Sequence, residues 1–184
     1  IAVSRGGPVN IDMQAARDHG VLVVNTPGRN SSAVAEFTLG AILAETRKIR
    51  VGHEALRAGD WRGDLYRADV TGRELSEMTV GVIGYGNIGS QVSVLAEAMG
   101  MKVLFYDVET KLPLGNAEDA KSLKALLQRS DVVTLHVPET SQTRNLINKT
   151  NLKYFKPGSI LINYARGEVV DLEALRKHLL DGHL

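Results

Sequence analysis

The chain of 184 residues contains no cysteine. Disulfide bonds, thiolate nucleophiles and cysteine-ligated metals are therefore excluded, and the compartment is left open with the cytoplasm as default; separately, no metal site is expected. Charge of one sign is lacking too: 22 Lys and Arg stand against 21 Asp and Glu, a net charge of +1. With no strong field, neither nucleic acid nor an anionic membrane is an expected partner. No stretch approaches the roughly 18 uninterrupted apolar residues of a membrane span. No signal-peptide pattern, internal repeat or low-complexity tract is visible. What remains is ordinary for a globular protein, with 43% hydrophobic and 23% charged residues. Ile1-Ala2-Val3 already lies in an apolar run, and LLDGHL closes the sequence just after a helical pattern. The expectation is a piece cut from a longer protein.

IAVS reads as a short buried strand, followed by the turn RGGPVN and a short helix ending at Gly20. VLVVN, residues 21–25, reads as a second buried strand because its β-branched run is continuous rather than alternating. One long helix is expected over residues 33–58, apolar on most faces in its first half. Within it, Arg47-Lys48-Ile49-Arg50 reads as a solvated face and Glu36 as a partly buried, paired carboxylate. From Thr79 the pattern becomes a regular alternation: strands over 79–84, 102–107, 132–136 and 159–163, helices after the first two, the Pro157-Gly158 turn before the fourth, and a last helix capped by Asp171. Strands that return repeatedly through helices imply an α/β fold, a doubly wound parallel sheet with helices on both faces.

Between the first two strands of that series lies Gly84-Tyr85-Gly86-Asn87-Ile88-Gly89, a full G-x-G-x-x-G. Alone the pattern is weak, but here it follows an apolar strand and opens a helix, the context of a Rossmann-type dinucleotide site. Gly84 permits the tight turn, Gly86 the approach of a pyrophosphate, and Gly89 close helix–strand packing. The helix N-terminus offers N–H groups and a positive dipole end to phosphates. Asp107 ends the next strand, where a carboxylate can accept hydrogen bonds from ribose hydroxyls and repel a 2′-phosphate, so NAD is favoured over NADP. FAD and S-adenosylmethionine also use glycine-rich turns with an acidic strand end.

A second motif, ILINYARGEVVD (residues 160–171), places Arg166 at the tip of an apparently buried strand. Arginine stays charged and its planar fork binds two oxygens, which suits a carboxylate clamp. The alternative is an ion pair with Glu168 or Asp171.

Taken in order, VIGYGNIGSQVSVLAEAMGMKVLFYD, VVTLHVPETSQTRNLIN and KPGSILINYARGEVVDLEAL resemble the D-isomer-specific 2-hydroxyacid dehydrogenases, and within them the D-3-phosphoglycerate dehydrogenases. The resemblance covers nearly the whole chain. It implies an NAD-dependent oxidoreductase that moves a hydride between NAD(H) and a D-2-hydroxy or 2-keto acid, with D-3-phosphoglycerate and serine biosynthesis as the leading assignment. Glyoxylate, hydroxypyruvate or a sugar acid stay open as substrates, as does a non-catalytic NAD(H)-sensing role; a methyltransferase would have no use for INYARGEVVD. The same resemblance implies that residues 1–30 are the end of a flavodoxin-like substrate domain and residues 31–184 an incomplete NAD-binding domain, whose long helix helps to build a homodimer.

Residue by residue, the resemblance assigns Asn87 and Ile88 to the pyrophosphate and Asp107 to the ribose. Val137 and Pro138 belong to a loop along the cofactor, and Tyr164, Ala165 and Arg166 to the nicotinamide side. Arg166 takes the position of the catalytic arginine, and Gly6 and Gly7 that of the loop holding the substrate carboxylate. The family's proton acceptor, a histidine assisted by a glutamate, lies downstream of the arginine motif, and none of His19, His53, His136, His178 and His183 occupies a matching motif. His136 reads as packing or loop support, Trp61 as a loop anchor against the long helix, and Lys111 as part of a solvated loop.

Overall fold

The computed structural model describes residues 1–67 and 69–184. Its first unit is small. Strands β1 (Ala2–Val3) and β2 (Val24–Asn25) pair in parallel, joined through helix α1 (Met13–Asp18), which Asp12 caps by accepting from the Gln14 and Ala15 N–H groups. The expectation of a buried five-residue strand over 21–25 is not met. Only Val24 and Asn25 are in strand, and Val21, Leu22 and Val24 are exposed. A continuous apolar run is buried when layers cover both faces of its sheet; here the sheet has two strands only.

The long helix is likewise two. Helix α2 (Ser31–Thr46) stops where Lys48 adopts a left-handed conformation (φ 53°), and α3 (Ile49–Arg57) sets off anew. Arg47-Lys48 is thus a helix break rather than a helical face, because a left-handed residue cannot continue the α-helical ladder. Ala35, Thr38, Ile42 and Thr46 form the buried stripe of α2. Glu36 lies off that stripe; it is exposed and, among the described residues, makes no ion pair, which corrects the buried-pair expectation. Trp61 is 82% exposed and anchors nothing, a second correction.

The main sheet is formed by β3 (Thr79–Ile83), β4 (Lys102–Tyr106), β5 (Glu118–Asp119), β6 (Val132–Leu135) and β7 (Ile160–Asn163). All pairings are parallel and the spatial order is β5-β4-β3-β6-β7. Side chains alternate between two cores, as the twofold period of a strand requires. Val80, Val82, Val103, Phe105 and Val132 meet α2 and helix α4 (Asn87–Ala98) on one face. Ile83, Leu104, Val133 and Leu135 meet helices α5 (Leu123–Arg129) and α6 (Lys149–Leu152) on the other. Gly81 is the narrow point under α5: a Cβ there would lie 2.2 Å from Ser130 Oγ and 2.5 Å from a Leu126 methyl. The strand leading to Arg166 is less buried than its sequence suggests. Within this chain β7 is the last strand of the sheet, and Ile160 and Leu161 are half-buried. Helix α7 (Leu172–Leu180) follows, capped by Asp171 as expected, through the Ala174 N–H at 3.0 Å.

Chain reversal order places the switch between β3 and its neighbours β4 and β6, so the crevice opens at their carboxyl ends. The opposite edge is tied by Asp131. Its carboxylate accepts from the Thr79 N–H (2.8 Å), the Arg73 guanidinium (2.8 Å) and the Lys156 ammonium (3.1 Å). Burial opposes the charged form, but these donors outweigh it and hold the carboxyl below its ordinary pKa. Replacing Asp131 by Ala would orphan the Thr79 N–H and free two cations. The expected loss is about 2–4 kcal/mol in denaturant unfolding; a loss within about 0.5 kcal/mol would contradict the role given to this cluster.

Candidate functional site

The three glycines of the turn are constrained differently. Gly84 has φ +90°, and a Cβ on it would lie 2.6 Å from the His136 carbonyl oxygen. A Cβ on Gly89 would lie 2.0 Å from the Gly84 carbonyl oxygen. Both positions are closed by the protein's own backbone. Gly86 differs: it adopts ordinary extended backbone (φ −90°, ψ −154°), and a Cβ there would meet nothing within 4 Å. No contact within the chain requires glycine at this position. The space in front of it is open, and it opens onto the N-terminus of α4, whose first turn has no side-chain cap. Uncapped N–H groups beside an open glycine are the setting that fits a pyrophosphate.

That space continues into a cleft of about 660 Å³. Gly84, Gly86 and Asp107 line one side, Val137 and Pro138 the other. Five of the expected cofactor residues are thereby brought together. Asp107 accepts from the Tyr85 N–H (2.7 Å) and the Glu109 N–H (2.9 Å), one on each carboxylate oxygen, which fixes the plane of the group. Each oxygen keeps a lone pair for a ligand hydroxyl. Lys111 also lines this cleft and is ion-paired with Glu109, with only 28% of its side chain exposed; the solvated-loop expectation is corrected. The remaining turn residues face elsewhere. The Asn87 side chain rests on Gly28, where a Cβ would come within 3.1 Å of its Nδ2, and Ile88 packs against the α2-side core, leaving its backbone to the turn.

His136 sits at the base of the cleft. Its Nε2 bonds Thr134 Oγ1 at 2.9 Å, while its Nδ1 is buried without a protein partner. Burial lowers its pKa to about 4, so the ring is neutral near pH 7.

The arginine segment is built by Asn163. Its side-chain oxygen accepts from the Ala165 N–H (3.0 Å), and its Nδ2 donates to the Arg166 carbonyl (2.7 Å), closing a small loop. Ala165 packs into the core on the α5 side, and Tyr164 lies against Phe37 of α2 with ring centroids 4.8 Å apart. The Arg166 guanidinium is exposed and donates to the Ala165 carbonyl (2.7 Å). Among the described residues it pairs with no carboxylate; Asp171 is engaged as the cap of α7. The ion pair with Glu168 or Asp171 therefore does not form. Gly6 and Gly7 lie in the loop after β1, which Asn25 Nδ2 ties through the Gly6 carbonyl (2.7 Å). The N–H groups of both glycines are without partners among the described residues, and no hydrogen bond joins this loop to the Arg166 segment.

Comparison with known proteins agrees with this geometry. The profile of the D-isomer specific 2-hydroxyacid dehydrogenase NAD binding domain matches residues 39–184. The chain belongs to this family. D-3-phosphoglycerate dehydrogenase of Haemophilus influenzae is 45% identical over 97% of the chain and 42% of its own length, and the Escherichia coli enzyme is 42% identical over the same shares. D-lactate dehydrogenase of Aquifex aeolicus, solved with NAD and lactic acid, superposes with a TM-score of 0.87 at 34% identity, covering all of this chain and 55% of that one. D-2-hydroxyisocaproate dehydrogenase superposes at 0.86 and 33%, with the same coverage. The chain spans less than half the length of these curated relatives.

In this 2-hydroxyacid dehydrogenase domain several supporting residues escape sequence reasoning. Tyr85, between two motif glycines, is buried: its ring stacks on Phe105 at 4.1 Å, and its hydroxyl donates to Ser93 Oγ (3.0 Å) and accepts from the Leu114 N–H (3.2 Å). Gln91 of α4 donates to Ser31 Oγ (2.7 Å) and accepts from Ser32 Oγ (3.0 Å), latching α2 to α4. Thr143 donates to the Pro138 carbonyl (2.6 Å) and shapes the cleft wall. The polar periodicity of the sequence carries no signal for such loop-to-helix bonds; an aromatic residue inside the glycine turn is the one local cue.

The depressed pKa of His136 predicts an acid sensitivity. Above pH 6.5 the ring is neutral in folded and unfolded chains alike. Between pH 6.5 and about 4 the unfolded chain takes up a proton that the folded chain refuses, so stability falls through this window and levels off below it. The loss is on the order of 3 kcal/mol. His136→Gln should flatten the pH dependence of the unfolding free energy between pH 6.5 and 4.5; an unchanged slope would contradict the assignment.

Proposed function

We propose that this chain is the NAD-binding part of an NAD-dependent D-2-hydroxyacid dehydrogenase acting on D-3-phosphoglycerate, with residues 1–30 the end of its substrate domain and residues 31–184 the cofactor domain. The observation that carries the chemistry is Arg166: an exposed guanidinium with no carboxylate partner among the described residues, mounted by Asn163 at the carboxyl end of β7. The substrate assignment rests on the two phosphoglycerate dehydrogenases that match 97% of the chain.

In this reading the N-terminus of α4, Gly86 and the backbone of Asn87 and Ile88 receive the pyrophosphate, Gly84 and Gly89 shape the turn, and Asp107 accepts the ribose hydroxyls. Val137 and Pro138 form the opposing wall, and Tyr164 and Ala165 flank the nicotinamide side. NAD, when bound, supplies the hydride acceptor for C2 of the hydroxy acid. Arg166 holds the substrate carboxylate and stabilises negative charge developing on the C2 oxygen, aided by the free N–H groups of Gly6 and Gly7. The proton from the C2 hydroxyl goes to a base outside these residues. A homodimer built in part by the apolar helix α2 belongs to the same reading.

The test uses the full-length protein and NADH formation from D-3-phosphoglycerate beside glyoxylate, hydroxypyruvate and sugar-acid couples. Arg166→Ala should lower kcat/KM on the order of a hundredfold or more. Asp107→Ala should weaken NAD binding and relax the exclusion of NADP. Full turnover by Arg166→Ala would refute the mechanism.

A further inference from the structure

The adenosine end of the cleft holds more charge than Asp107 alone. Asp107, Glu109 and Lys111 follow one another along the same wall. Their placement is asymmetric. The Glu109 side chain is 73% exposed and turned to solvent, whereas Lys111 is mostly covered, with its ammonium paired to Glu109. The Glu109 hydrogen bond, seconded by the more distant charge of Asp107, favours the charged form of the ammonium. Asp107 itself is held in place by two backbone N–H groups and does not bond Lys111 directly. The wall thus presents a fixed anion, a partly covered cation and an exposed outer anion, with a net charge of −1.

We infer that Lys111 is a second determinant of cofactor selectivity: a latent anion anchor whose affinity for a ribose 2′-phosphate is masked by Asp107 and Glu109. The inference rests on the proposed ribose-binding role of Asp107. Two carboxylates around one ammonium repel a dianionic phosphate, and the unmodified diol is accepted because it brings only donors to Asp107. Rejection of NADP is then caused by the anions and not by want of a cation. Neutralising Asp107 leaves Lys111 balanced by Glu109 alone, and Glu109, out in solvent, is readily exchanged for a phosphate that carries more charge and more acceptor oxygens.

The experiment is equilibrium titration of the full-length protein with NADH and NADPH, followed by nicotinamide fluorescence at low salt. The variants are Asp107→Asn, which keeps the shape and an acceptor oxygen, Asp107→Asn/Lys111→Met, and Asp107→Asn/Glu109→Gln, with thermal midpoints checking that each folds. Asp107→Asn should weaken NADH binding and strengthen NADPH binding. Adding Lys111→Met should weaken NADPH binding about five- to tenfold, with NADH changed less than twofold, and adding Glu109→Gln should strengthen NADPH binding further. If Asp107→Asn shifts selectivity and Lys111→Met leaves NADPH binding as it is, the anchor role of Lys111 is overturned while the ribose assignment stands. If Asp107→Asn changes neither cofactor, the ribose assignment falls and the inference with it.

Discussion

Three backbone segments converge at the end of β3 closely enough to exclude a single methyl group. Gly84 abuts the carbonyl of His136, and Gly89 abuts the carbonyl of Gly84. This contact sets the angle at which α4 leaves the sheet, and so aims its N-terminus into the crevice between β3 and β6. It also fixes the start of the Val137-Pro138 wall, because the same His136 carbonyl that meets Gly84 begins that loop. The cleft is therefore a consequence of backbone packing. Side chains that line it can vary within that frame, but an added Cβ at Gly84 or Gly89 must move a strand or a helix.

The frame extends to Arg166. Beyond the cleft wall, the Asn145 N–H donates to the Glu168 carbonyl (2.8 Å) and the Ile147 N–H to the Val169 carbonyl (3.0 Å). The residues just after the arginine are thus laced to the segment just after the cleft wall, while Asn163 fixes the arginine's own backbone. Phe37 of α2 leans on Tyr164 from the other side, and Gln91 latches α2 to α4. Hydrogen bonds and one aromatic contact therefore join the proposed carboxylate clamp to the cofactor cleft through rigid elements. The chemistry proposed here needs the substrate carboxylate and the cofactor in a fixed relation.

Sequence patterning reveals four of the five strands of the parallel sheet because burial on two faces writes itself as continuous apolar runs bounded by glycine and proline; the two-residue β5, Glu118–Asp119, is acidic and only partly covered, so no apolar run marks it. The glycine turn, Asp107 and the Asp171 cap are legible for a related reason: each is a local requirement of backbone geometry. What is not legible depends on neighbours remote in sequence. VLVVN reads as a buried five-residue strand, yet only Val24 and Asn25 pair with β1, and Val21, Leu22 and Val24 are exposed in this chain. The break at Lys48 leaves no trace, since no glycine or proline marks it. Lys111 reads as solvated because its loop is polar, and only the fold shows it turned into the cleft. The internal anchor Tyr85 and the buckle made by Asn163 are likewise set by tertiary contacts.

The central claim is that Gly86, alone among the three motif glycines, is kept small for a ligand and not for the fold. It is tested most directly by placing a side chain there and reading folding and cofactor binding separately. Gly86→Val should keep its thermal midpoint within a few degrees of the unaltered chain, since its backbone is ordinary and the space before it is empty. NADH affinity of the same variant should fall by about tenfold or more. A Gly86→Val chain that folds and binds NADH as tightly as the unaltered protein would contradict the account.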